Sequence, residues 1–142
     1  MKIERQKQIL IIEDDTLSRI TQKCMIGTFS DMNVCAVFDN AEDGIEFLHQ
    51  NISNVDLVLM DATLPKMNGV EASKVIKNKY PFIKIVILVP YNSDKQVIST
   101  LFANADSYYI RDLGQDMLYD VLTQTLADNG SIDKRIQFSV FN

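Results

Sequence analysis

Residues 55–69, VDLVLMDATLPKMNG, decide the fold. Residues 55–60 form a short apolar run bounded by turn residues, which predicts a strand buried on both faces. Asp61 closes it. An acid at the end of such a strand has an ordinary explanation as a turn residue, since Pro65, Asn68 and Gly69 supply turn chemistry. It has a chemical one as well, which becomes the better explanation once a second strand is found to end in the same way.

That second strand is residues 8–12, QILII, which stops abruptly at Glu13, Asp14 and Asp15. Alone, IEDD reads as a helix start with Asp14 or Asp15 as N-cap. Two apolar strands that both end in acids read as a site, because neighbouring parallel strands bring their tips together. Carboxylates crowded in this way repel one another unless a proton or a cation intervenes, and an all-oxygen cluster suits a hard ion such as Mg²⁺. Beside that cation, Asp61 is placed to act as a nucleophile toward phosphorus.

Outward from these two strands the pattern alternates five times. Residues 8–12 are β1, and Leu17, Ile20, Cys24, Met25 and Ile26 then mark a helix α1 that stops at Gly27. There follow β2 (34–38), α2 (41–51), β3 (55–60), α3 (70–79), β4 (83–89), α4 (95–103), β5 (107–110) and α5 (113–128). Each helix is long enough for a right-handed crossover, so the prediction is an α/β fold: a doubly wound five-stranded parallel sheet with helices on both faces. Periodicity does not fix the strand order. In the flavodoxin-like order 2-1-3-4-5, the ligand crevice lies between β1 and β3, at the carboxyl ends of the strands.

With 142 residues, 46% hydrophobic and 23% charged, the chain suits one globular domain, assigned to 1–128, with 129–142 as a C-terminal tail or linker. No apolar run approaches the roughly 20 residues that span a bilayer, and MKIERQKQILII lacks a signal-peptide cleavage site, so a cytoplasmic protein with no membrane contact is expected. The net charge of −5 argues against a general attraction to nucleic acid and favours protein partners. Cys24 and Cys35 lack metal-type spacing and are expected as buried, reduced thiols. His49 on α2 is away from the strand tips and reads as a surface residue. Ile98, Leu101 and Phe102, with Tyr108 and Tyr109, line α4 and β5, mostly as core.

ILIIEDD, DLVLMDATLPKMNGVE and ADSYYIRD, with their separations, resemble the receiver domains of bacterial response regulators over residues 7–128. The resemblance implies that Asp61 accepts a phosphoryl group, that Glu13 and Asp14 are the acidic pair, and that Mg²⁺ is held by Glu13, Asp14, Asp61 and the backbone carbonyl of Thr63. It implies a sensor histidine kinase or phosphotransfer protein as donor, output through the α4-β5-α5 face, and a homodimer through that face. It implies no enzyme beyond self-catalysed phosphotransfer and autodephosphorylation. IKIVILVPYNSD and LFANADSYYIRD look most like the receivers of helix-turn-helix-type regulators, although no DNA-binding domain follows in these 142 residues.

Two positions depart from the family pattern, both on the phosphoryl side. Val89 stands at the end of β4, where the family has a Thr or Ser whose hydroxyl bonds the phosphoryl group and moves on activation. Arg111 stands after β5 in place of a Lys, keeping the charge but bringing a planar fork instead of a compact ammonium. Tyr108 matches the aromatic that turns inward with the missing hydroxyl. These departures, with Pro90 stiffening the β4–α4 loop, support an alternative: an atypical receiver acting as a phosphorylation-independent interaction module. A phosphatase using Asp61 ranks last, since its acid–base carboxylate two residues on is here Thr63.

Overall fold

Five parallel strands lie in the order β2-β1-β3-β4-β5, so the expected flavodoxin-like order holds and the sheet reverses between β1 and β3. The structure, a computed structural model, describes residues 5–90 and 104–136. The helix expected over 95–103, with Ile98, Leu101 and Phe102, lies outside the described residues. The strands are β1 Lys7–Ile12, β2 Met32–Phe38, β3 Leu57–Asp61, β4 Lys84–Val89 and β5 Ser107–Ile110. The described helices are α1 Thr16–Gly27, α2 Ala41–Asn51, α3 Gly69–Lys79 and α5 Gln115–Leu126, with a single 3₁₀ turn at Ile52–Asn54.

Burial on both sides explains the unbroken apolar runs. Along β3, Leu57 and Leu59 join a core with Ile26 of α1 and Leu118 and Leu122 of α5. Val58 and Met60 point the other way, toward Ala41 and Leu48 of α2 and Ala72 and Ile76 of α3. Each such side chain taken fully from water contributes about 1.5–3 kcal/mol before the entropy of ordering is counted. Three of the helices begin at a side-chain cap: Asp15 accepts from the Ser18 N–H, Asn40 from Asp43 and Asn68 from Glu71, at 2.8, 2.8 and 2.9 Å.

Helix α1 buries a different face from the one its apolar residues mark. Leu17 is 73% and Ile20 54% exposed, and Cys24 is exposed too. The buried residues are Gln22 and Ile26. Positions 17, 20 and 24 are in helical phase with one another, so periodicity alone selects them. The face that packs begins over the carboxylates at the strand tips, and there the sheet presents polar groups, not hydrocarbon. The expectation of buried thiols is corrected accordingly: both cysteines are free, but Cys24 is exposed and Cys35 only half-buried.

The residues after α5 do not form a free tail over 131–136. Ile132 bridges to Tyr108 in parallel, the Tyr108 N–H donates to the Ser131 carbonyl at 3.0 Å, and the Asp133 N–H donates to the Tyr108 carbonyl at 2.7 Å. The Asp133 carboxylate accepts from the Ile110 N–H at 3.0 Å, satisfying a donor on the edge strand. Arg135 clamps Asp133 at 2.9 Å and Asp112 at 3.0 Å. Gly130 passes so close to the Asp106 carbonyl that a Cβ would collide with it. Ile136 is 1% exposed in the α2/α3-side core. Ile136→Ala is therefore expected to destabilise the domain by about 2–5 kcal/mol, as a buried truncation does and a tail residue does not; the shift in urea midpoint measures it.

Candidate functional site

The register of the two inner strands builds the site. Ile12 pairs with Met60, so the residues that follow, Glu13 and Asp61, emerge side by side at the carboxyl rim of the sheet. Both are 1% exposed. Asp14 stands beside them, facing solvent, and one carboxylate oxygen from each of the three lies within 4.8 Å of the others. This is the cluster read from the two strand ends.

Its electrostatics are those of crowded acids. Burial, reinforced by the Asp61 charge, pushes the Glu13 carboxyl up to about 8, against the pull of the Asp15 N–H and Arg111. Asp14 is raised as well, by partial burial first and then by Asp61. A group of acids that holds protons this firmly is relieved when a cation replaces them. Three convergent oxygen donors, with no nitrogen or sulfur among them, fit a small hard divalent ion such as Mg²⁺.

Asp61 is held at both oxygens. Thr63 donates its N–H at 3.2 Å and its hydroxyl at 3.3 Å to Oδ1. Arg111 Nη1 donates to Oδ2 at 3.2 Å, and the arginine side chain is only 30% exposed. Arg111 reaches the site because Ile110 pairs with Val89 and the Arg111 N–H then donates to the Val89 carbonyl at 3.1 Å. The turn after Asp61 closes through Gly69, whose N–H donates to the Ala62 carbonyl at 2.9 Å. A Cβ on Gly69 would strike the Asp61 carbonyl oxygen, so α3 can start this close to β3 only with glycine there.

Val89 is 1% exposed and packs in one cluster with Tyr108 and Ile110. Tyr108 is also buried, its hydroxyl accepting from the Ala105 N–H at 2.8 Å. His49 lies on the surface against the Tyr80 hydroxyl, away from the carboxylates, as expected. The sequence reading missed the ring of groups that α1 sends to Glu13. The Asp15 N–H donates to Glu13 Oε2 at 3.1 Å, Gln22 Nε2 to Oε1 at 3.2 Å, and Arg19 Nη1 to the Glu13 carbonyl at 2.9 Å. Gln22 lies four residues before Ile26, on the buried face, and that spacing was the available signal.

Residues 9–123 match the family model of the response regulator receiver domain. The transcriptional regulatory protein DegU of Brevibacillus brevis is 29% identical over 128 residues, a stretch covering 90% of this chain and 53% of that protein. The response regulator protein VraR of Staphylococcus saprophyticus is 27% identical, covering 95% of this chain and 64% of that one. The chain thus spans a little over half the length of these curated relatives. A LuxR-family two-component response regulator from Aurantimonas sp. shares the fold with a TM-score of 0.84 at 20% identity, covering 96% of each chain.

Proposed function

Since the chain belongs to the response regulator receiver family, we propose that Asp61 is its phosphoacceptor, charged by a sensor histidine kinase or phosphotransfer protein in the cytoplasm. The observation that carries this is the convergence of Glu13, Asp14 and Asp61 within 4.8 Å on a rim where Asp61 also meets a guanidinium. In the transfer an Asp61 oxygen forms a bond to phosphorus while the bond from phosphorus to the donor nitrogen breaks and the imidazole leaves. Glu13, Asp14, Asp61 and the Thr63 carbonyl would hold Mg²⁺, which supplies neutralisation of the charge on the phosphoryl oxygens. Thr63 fixes the orientation of the attacking carboxylate, and Arg111 supplies a fork of donors to the oxygens of the arriving group. Leu17 and Ile20, exposed on the first turns of α1 beside the pocket, support an apolar seat for the donor protein.

Output and any homodimer are assigned to the α4-β5-α5 face, part of which carries residues 131–136. Uptake of one phosphate per chain from an acyl phosphate, requiring Mg²⁺ and followed by intact mass, tests the proposal. A second reading, a module that signals without phosphate, is favoured by the Arg111–Asp61 ion pair and by the absence of a hydroxyl on Val89. It becomes the better one if no phosphate is taken up.

Val89 sets the size of the response. One hydrogen bond to a charged phosphoryl oxygen is worth roughly 1.5–3 kcal/mol, and about 2 kcal/mol shifts a two-state population roughly thirtyfold. Val89→Thr with Arg111→Lys is expected to enlarge the phosphate-dependent NMR shifts around Tyr108. It should also lower the stability of the unphosphorylated domain by about 1–3 kcal/mol, because the buried hydroxyl then lacks a partner. A full response in the parent, unchanged by the pair of substitutions, would make both departures neutral.

A further inference from the structure

Glu13 is a buried acid whose two oxygens each receive a donor from α1 and its cap, one from the Asp15 backbone and one from the Gln22 side chain. The backbone donor comes with the fold. The Gln22 amide is a choice of residue at a position facing the core, where Ile26 follows four residues later on the same buried face. Gln22 is 5% exposed, and its Oε1 has no hydrogen-bond partner among the described residues. A buried carbonyl without a partner destabilises the folded state, so packing alone gives no reason for an amide here. What the amide adds is its other end, the N–H directed at Glu13.

From this geometry we infer that Gln22 is a positioning residue for the proposed metal site, holding the Glu13 carboxylate in place toward the divalent cation. The inference rests on the assignment of Glu13, Asp14 and Asp61 as ligands. Partners that orient a ligand in this way typically govern metal affinity by 10–100-fold, by fixing the donor atom and favouring its ionised form. A residue kept for packing alone would instead affect stability and leave the cation indifferent.

The two roles separate in one set of measurements on the full chain: Mg²⁺ affinity by calorimetric titration, and the thermal midpoint without Mg²⁺. Gln22→Met keeps the length and removes both polar ends; Gln22→Leu is the second variant, and Ile26→Val is a pure packing control on the same face. Gln22→Met is expected to fold with a midpoint close to that of the parent, since removing the unpartnered Oε1 offsets the donor taken from Glu13, while binding Mg²⁺ about 10–100-fold more weakly. Ile26→Val should lower the midpoint and leave the affinity unchanged. If Gln22→Met and Gln22→Leu bind Mg²⁺ as tightly as the parent, or if Ile26→Val weakens binding as much as they do, the positioning role is overturned while the metal site stands. If the parent binds no Mg²⁺, both are overturned.

Discussion

Asparagine in place of Asp61 is expected to reduce phosphoryl uptake from an acyl phosphate to background, with intact mass showing one added phosphate on the parent and none on the variant. Asparagine keeps the shape, and its amide can still meet Thr63 or Arg111, so the fold should survive. What it loses is the anionic oxygen that attacks phosphorus. Neither neighbouring acid is a ready substitute. Glu13 is buried beside Asp61, with one oxygen engaged by the Asp15 N–H and the other by Gln22, and its carboxyl pushed up to about 8. Asp14 faces solvent and lacks the contacts that orient Asp61. Uptake by the Asp61→Asn variant equal to that of the parent would place the acceptor elsewhere.

Magnesium affinity should depend steeply on pH. An acid whose folded pKa is raised binds a proton that the unfolded chain releases, so for Glu13 the metal-free fold is favoured by acid and loses that contribution as pH climbs from about 4.5 to about 8. The cation needs the ionised carboxylate and must expel the proton to bind. Affinity is therefore expected to fall about tenfold per pH unit below about 8, or roughly a hundredfold between pH 8 and pH 6. A matching signature is that Mg²⁺ raises the thermal midpoint most at alkaline pH, where the empty cluster is least stable. Affinity flat across that range would show that Glu13 is not a ligand. Asp14→Ala should abolish binding at every pH.

The carboxylate side of the site was legible because it sits where apolar strands stop, and a strand buried on both faces leaves its terminal acids nowhere to go but the rim. The strand pairing then aligned Glu13 with Asp61 without further instruction. Helix α1 misled because two opposite faces share the same period: Leu17, Ile20 and Cys24 look like a core stripe, while the face that packs opens with Arg19 and Gln22. A polar residue buried against a carboxylate has no hydropathy signal, so only the four-residue spacing to Ile26 pointed to Gln22, and its partner had to come from the fold. Residues 131–136 were read as a tail since a single bridge and one carboxylate on an edge N–H leave no periodic pattern. Val89 and Arg111 could be singled out from the sequence only by comparison with a family; their spacing alone carried nothing.

The route of residues 131–136 also couples the segment after α5 to the site. Helix α5 runs back to the amino ends of the strands, the end remote from Asp61, and a chain leaving there would be mechanically distant from the chemistry. Instead residues 131–133 climb parallel to β5, and Arg135 is fastened to Asp112, one residue past the arginine that holds Asp61. Arg135 is thereby tied to the carboxyl rim of the sheet. A displacement of Arg111 would pass through its neighbour Asp112 to Arg135, and so to the segment that bridges β5.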